Sequence, residues 1–311
     1  MKSGLIASID LGTNTARLLI GSCENGRIDR RHISRRITRL GGGFTREVGI
    51  SPEAAARTLA AMTDFAATLK EFKVSALKAV ATSAVRDAAN RDVFCREVFT
   101  ATGIELEVIS GSVEGELTLQ GVVRGLDVRP EIMLVFDVGG GSTEYTLARG
   151  ETILFTRSLP LGVVRLSEGK DSIAAMSDKI SRELGVLVND IKAAGVAGFL
   201  PTATLVATAG TATTLAAIDL GLADYDYRLV NNHLLTAATI NEIFQRLLPL
   251  SPFERLQQTV GLERGREDLI IAGTLLTLKS MELLGVPSLK VSDFGLLEGV
   301  LFDLAAAGDA E

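Results

Sequence analysis

Three short stretches place glycine and hydroxyl residues where an apolar strand ends, and that combination suits the binding of phosphate. IASIDLGTNT passes through Asp10 to Gly12, Thr13, Asn14 and Thr15, and LVFDVGGGST passes through Asp137 to Gly139, Gly140, Gly141, Ser142 and Thr143. Successive backbone N–H groups converge on an anion only where the chain can take positive φ and no Cβ blocks the approach. In the third, ATAGTATTLAA, Gly210 and Thr211 open a helix whose N-terminus favours negative charge. A single turn of this kind also serves as a tight strand connection closed by Asp10 or Asp137 as an Asx-turn. Three in one chain, two in the same strand–Asp–x–Gly context, favour phosphate. None carries the Gly-Lys-Ser/Thr ending of a P-loop or a dinucleotide fingerprint.

Carboxylates lie beside these turns. Asp137 and Glu144 bracket GGGST, where they would repel a bound phosphate unless a divalent cation stood between them. Mg2+ suits that place, because it takes few protein carboxylates and keeps water and phosphate oxygens as ligands. Glu114, in VISGSVEGE, falls in the first turn of an expected helix. An acid there also has a purely structural use, worth about 0.3–1 kcal/mol against the helix dipole. Arg17 follows the first turn, Arg86 follows the strand end ATSAV and Arg266 sits in the charged stretch ERGRED, while RRHISRRITR adds a near-alternating basic strand face that a polyanion could track. GGGF at Gly41–Phe44 reads as the close of a surface loop.

Positioning these groups calls for an α/β frame. Apolar periodicity predicts strands near 5–9, 17–21 and 27–37, a helix from Ser51 and Pro52 to about Phe72, a strand near 76–81, a helix near 88–102, a strand near 105–109 and a helix near 113–125. The order then repeats. Strands are expected near 132–137, 143–148 and 151–158, a helix near 171–194, a strand near 203–207 and a helix near 212–218. A mostly helical insert over 219–285, a strand near 287–291 and a final helix from Gly295 complete it. The chain reads as a duplication of βββαβαβα, with a linker at Gly125–Pro130. The domains are expected at 1–126 and 127–297, with the last helix, about 298–311, able to pack back on the first.

With 311 residues, 47% of them apolar and 23% charged, the chain is long enough for conventional cores and is neither disordered nor collagen-like. Two cysteines and two histidines cannot make a disulfide scaffold or a zinc finger. The net charge of −6 argues against nucleic acid, so phosphate binding must be local. No stretch reads as a signal peptide or membrane span, which leads to the expectation of a cytoplasmic protein with no membrane partner.

The stretches IDLGTNTARLLI, ATSAVRDAAN, VISGSVEGE, VFDVGGGSTEYTL, SLPLGVVRL, ATAGTATTLAA, GREDLIIAG and VSDFGLLEGVL resemble, in order and over nearly the whole chain, the exopolyphosphatase/guanosine pentaphosphate phosphatase family. This is a branch of the actin, sugar kinase and Hsp70 superfamily. The resemblance implies two RNase H-like domains with a cleft between them, where terminal phosphate leaves inorganic polyphosphate or guanosine pentaphosphate. It implies Glu114 as general base, and Asp137 and Glu144 as the acidic pair linked to Mg2+ and the attacking water. A monovalent cation such as K+ could accompany the Mg2+, and guanosine tetraphosphate could bind. The sequence departs from the family around Glu114, where Val113, Gly115 and Glu116 replace the usual adjacent acid and following Ala-Arg. The chain is similar to the short, two-domain members.

The reading is therefore a Mg2+-dependent phosphoanhydride hydrolase. The three turns grip phosphate, Glu114 takes a proton from an in-line water, and Arg86 and Arg266 neutralise developing charge. Its rivals are an ATP-dependent kinase of the same superfamily and a nucleotide or alarmone sensor without turnover. Polymer and nucleotide substrates present the same terminal anhydride, and a homodimer is compatible with the sequence.

Overall fold

A computed structural model describes residues 4–308 except Asn25, Arg46 and Asp171. The expected domain start at residue 1, helix start at Asp171 and helix end at Glu311 lie outside them. The chain divides into two compact units, one formed by the residues up to Arg124 together with those from Gly295, the other by Gly125–Phe294.

The first unit opens with β1 (Ile6–Leu11), β2 (Thr15–Glu24) and β3 (Arg27–Ile37). These lead to α1 (Pro52–Glu71), β4 (Ala76–Ala81), α2 (Ser83–Arg86), α3 (Arg91–Thr102), β5 (Glu107–Val108) and α4 (Gly111–Gly125). Ser51 caps α1 by accepting from Ala54 N at 3.3 Å, with Pro52 in the first turn, as its sequence predicts. The sheet order is β3-β2-β1-β4-β5, with β1 antiparallel to β2 and parallel to β4. Ile9, Leu11, Leu18, Met62 and Phe65 lie in the core between this sheet and its helices.

The second unit repeats the pattern with β6 (Ile132–Val138), β7 (Thr143–Arg149), β8 (Thr152–Leu159), α5 (Val163–Gly169) and α6 (Ile173–Ala193). After a 3-10 turn at Ala197–Thr202 come β9 (Thr204–Thr208) and α7 (Ala209–Asp219). The region expected to be mostly helical contains α8 (Tyr227–Val230), β10 (Leu234–Thr236), α9 (Ala237–Leu247), α10 (Pro252–Gln258) and α11 (Ile270–Leu284), ahead of β11 (Ser288–Val291). β10 is an addition to the expected pattern. Three residues are too few to show a period, and β10 joins the edge of a sheet ordered β10-β11-β9-β6-β7-β8.

The last helix, α12 (Leu296–Gly308), belongs to the first unit. Leu297 and Leu301 pack on Leu19, while Leu296 and Val300 join Val80, Ile109 and Leu117. Glycines let α12 meet α4 backbone to backbone. A Cβ on Gly121 would lie 2.0 Å from the Gly295 carbonyl oxygen, and one on Gly299 would lie 1.8 Å from that of Leu117. Ser8 Oγ donates to Leu297 O at 2.7 Å, and Arg30 pairs with buried Glu298 at 3.0 Å. Among the described residues no helix is long and apolar enough to cross a membrane.

Candidate functional site

In the first unit, the β1–β2 turn closes with Gly12 N donating to Thr15 O at 3.0 Å. Thr13 O accepts from Gly41 N at 2.8 Å, and Asn14 O from Thr38 N at 3.0 Å and Arg39 N at 2.9 Å. In a trans peptide the N–H points opposite to the C=O. The Asn14 and Thr15 N–H groups therefore face away from the loop that follows β3. That loop includes GGGF, which braces the turn as well as closing a surface loop: a Cβ on Gly41 would come within 2.2 Å of Thr13 Cγ2. Arg17, expected at substrate, holds Asp10, its register partner, through Nε at 3.0 Å and Nη2 at 2.6 Å.

Glu114 and Arg86, far apart in sequence, come together here. Ser110 caps the start of α4, accepting from Val113 N at 3.3 Å, and Glu114 sits in that first turn with 7% of its surface exposed. Arg86 ends α2 and points its Nη1 at Glu114 Oε2 (2.9 Å) and Ile109 O (3.1 Å). The cation missing from the residues after Glu114 is thus supplied from another element. The basic run on β3 is largely engaged with acids: Arg30 with Glu298, Arg31 with Asp29, and Arg36 with Asp64.

In the second unit the β6–β7 turn has the same closure, Gly139 N to Ser142 O at 3.0 Å. Its carbonyls feed α5: Val163 N donates to Gly139 O at 3.0 Å and Val164 N to Gly140 O at 2.9 Å. By the same peptide geometry, the Gly140 and Gly141 N–H groups face away from α5. Thr143 Oγ1 donates to Leu161 O, so this hydroxyl is spent on the scaffold. Gly162 is required by close approach, because a Cβ there would fall 2.2 Å from Gly140 O.

Asp137 and Glu144 are register partners across β6 and β7, which puts both carboxylates on one sheet face. Their exposures are only 7% and 2%, and Ser158 Oγ donates to Glu144 Oε1 at 2.7 Å. Two opposed, buried carboxylates repel unless a cation or proton intervenes. The donor set fits Mg2+, which needs only one or two carboxylates when phosphate and water complete its shell. No group of three or more His, Cys, Asp or Glu that could hold a metal occurs among the described residues.

The third turn places Gly210 in the first turn of α7, after Ala209 in the left-handed region at φ 65°. For a residue with a Cβ that is a strained junction. The Arg266 guanidinium lies over Gly210: a Cβ there would sit 1.9 Å from Nη1 and 2.0 Å from Cζ. Glu263 holds the same side chain at 3.1 Å through Nε. Thr211, expected at phosphate, is buried against α11, where a Cβ on Gly273 would meet its Oγ1 at 2.4 Å. Nearby, burial and the carboxylate of Asp293 push the Tyr225 hydroxyl well up, so it stays protonated and donates to Asp293. Glu263, Ser158 and Gly162 escaped the sequence reading. Only SLPLGVVRL, a family-like stretch with no obvious chemistry, pointed towards Ser158 and Gly162.

Residues 20–307 match the Ppx/GppA phosphatase family. The chain belongs to that family. Among its Ppx/GppA relatives, "Exopolyphosphatase 2" of Mycobacterium tuberculosis is 34% identical over 315 residues, covering 96% of this chain and 98% of that one. A solved Aquifex aeolicus Ppx/GppA family member is 30% identical with a TM-score of 0.82, covering 98% and 99% of the two chains. A solved exopolyphosphatase from Cytophaga hutchinsonii is 27% identical with a TM-score of 0.88, covering 97% and 98%. With its two sheets, the chain has the mixed α/β fold of two-domain Ppx/GppA structures, consistent with two actin-like domains.

Proposed function

We propose that this Ppx/GppA chain is a Mg2+-dependent phosphoanhydride hydrolase that removes the terminal phosphate from inorganic polyphosphate, and from guanosine pentaphosphate where that nucleotide is offered. The observation that carries the reading is the opposed pair Asp137–Glu144 beside a glycine turn whose N–H groups face away from the scaffold. Backbone donors suit phosphate oxygens, and an acid–acid pair suits a divalent cation brought with them. "Exopolyphosphatase 2" of Mycobacterium tuberculosis, similar over nearly its full length, supports polyphosphate as the substrate.

In this reading the Gly140 and Gly141 N–H groups and Gly210 orient the phosphate end, and Arg266 lies against its charge. Bound Mg2+, held by Asp137 and Glu144, would supply charge neutralisation on the phosphate oxygens. Glu114 accepts one proton from a water whose oxygen forms a bond to the terminal phosphorus. The bridging P–O bond breaks, its electron pair leaves with the shortened chain, and orthophosphate is released. Arg86 keeps the Glu114 carboxylate oriented through the 2.9 Å hydrogen bond.

The test is orthophosphate release from polyphosphate and from guanosine pentaphosphate with Mg2+, by the wild type and by Glu114→Gln. A general base is worth about 10²–10⁴ in rate, so the variant should lose that much. Wild-type turnover in Glu114→Gln refutes the assigned base. Tight guanosine tetraphosphate binding with no phosphate release by the wild type indicates a sensor.

A further inference from the structure

The hairpin that carries Asp137 and Glu144 continues into a third strand. β8 pairs with β7 so that Ser158 lies opposite Glu144, and Asp137, Glu144 and Ser158 form one row on one face of three adjacent strands. Ser158 is half-buried on the edge strand of this sheet and donates through Oγ to Glu144 Oε1 at 2.7 Å. The corresponding row of the first unit is Asp10, Arg17 and Arg35. There Arg17 pairs with Asp10 from within the chain. In the second unit an acid stands where Arg17 stands, and a neutral hydroxyl stands where Arg35 stands. A hydroxyl does for a carboxylate what a cation cannot: it fixes the group's orientation without cancelling its charge.

We propose that Ser158 is a positioning residue for divalent-cation binding, holding Glu144 in place with its negative charge intact and so reserving the Asp137–Glu144 pair for a cation from solution. The proposal deepens the Mg2+ reading above and rests on it. Loss of the hydroxyl lets the Glu144 carboxylate turn about its terminal bond, which weakens the site. A cation in place of the hydroxyl satisfies Glu144 from within the chain and closes the site to Mg2+. A serine that merely satisfied a buried acid would do neither, because Mg2+ binding would then be the same in every variant that folds.

The test uses the full-length protein with Ser158→Ala, Ser158→Thr and Ser158→Lys, beside Glu144→Gln as reference. Mg2+ is titrated calorimetrically in the presence of inorganic phosphate, so that binding is read without turnover, and melting temperatures are taken with and without Mg2+. Partners that orient a metal ligand are worth about 10–100-fold in affinity, so Ser158→Ala should bind Mg2+ about tenfold or more weakly. Ser158→Thr, which keeps the hydroxyl, should bind it as the wild type does. Ser158→Lys should melt higher than the wild type without Mg2+ and gain nothing from its addition. Wild-type Mg2+ affinity in Ser158→Ala overturns the proposal, and so does wild-type affinity in Ser158→Lys, which decides the matter if the alanine variant does not fold. If Glu144→Gln loses Mg2+ while Ser158→Ala keeps it, the proposal alone falls. If Glu144→Gln also binds as the wild type does, the metal reading falls and takes the proposal with it.

Discussion

Asp137 faces Glu144 across β6 and β7 at the position where, in the first unit, Asp10 faces Arg17 across β1 and β2. The same hairpin carries an acid–base pair in one unit and an acid–acid pair in the other.

Asp137→Asn and Glu144→Gln should each raise the Mg2+ concentration for half-maximal activity about tenfold or more. Removing one of two opposed buried charges relieves repulsion, so the melting temperature without Mg2+ should stay level or rise. Thermal scans with and without Mg2+, set beside Mg2+ titrations of activity, measure both effects. An unchanged Mg2+ requirement in both variants would sink the assignment.

Arg86→Met should leave Glu114 buried without its guanidinium. Breaking a buried pair costs about 3–5 kcal/mol, and a fifth of the Arg86 side chain remains open to solvent, so about 1–3 kcal/mol is expected. Urea unfolding of Arg86→Met, Glu114→Gln and the double variant gives the coupling. The double variant should be more stable than the sum of the single losses implies.

Two glycine substitutions should separate function from folding. In Gly210→Ala the new methyl meets the movable end of Arg266, so phosphate release should fall by about tenfold or more while the melting temperature holds. In Gly162→Ala it meets the backbone of Gly140 and Gly141, which cannot step aside, and stability should drop by about 1–3 kcal/mol. Calorimetry and initial rates distinguish the two.

Alkaline pH should loosen α12. Partial burial alone would lower the Lys78 pKa, but the hydrogen bond to Asp303 at 2.8 Å and the charges of Asp303 and Glu107 outweigh it, giving a net upward shift from 10.5. A raised folded pKa contributes stability that is complete below the unfolded value and lost as pH climbs through the folded one. Chemical denaturation should therefore show a decline above pH 10.5 that Asp303→Asn flattens. An identical slope in the variant would remove Lys78 as the cause.

Much of this was legible in the sequence because its signals are local. Strand–Asp–x–Gly marked both hairpins, Ser51-Pro52 marked α1, and apolar period separated strands from helices. What escaped depends on partners distant in sequence. Arg86 reaches Glu114 across 28 residues and Gly41 braces Thr13 across the whole of β2 and β3. α5 and α2 span two turns or fewer, too short for a helical period to emerge. Thr143 reads as a phosphate ligand from its place beside the glycine turn, yet its hydroxyl donates to Leu161 O, and Thr211 is buried beside Gly273 of α11. Hydroxyl residues next to glycine announce a turn without saying which way each side chain faces.

The assignment of α12 to the first unit has a consequence for how the protein is made. A ribosome releases the strands of that unit before Gly125–Phe294, yet the residues that pack on Leu19, Val80 and Leu117 emerge only after that segment. The first unit is thus completed only when the second is already available to fold. A circular permutant that begins at Gly295 would reverse that schedule.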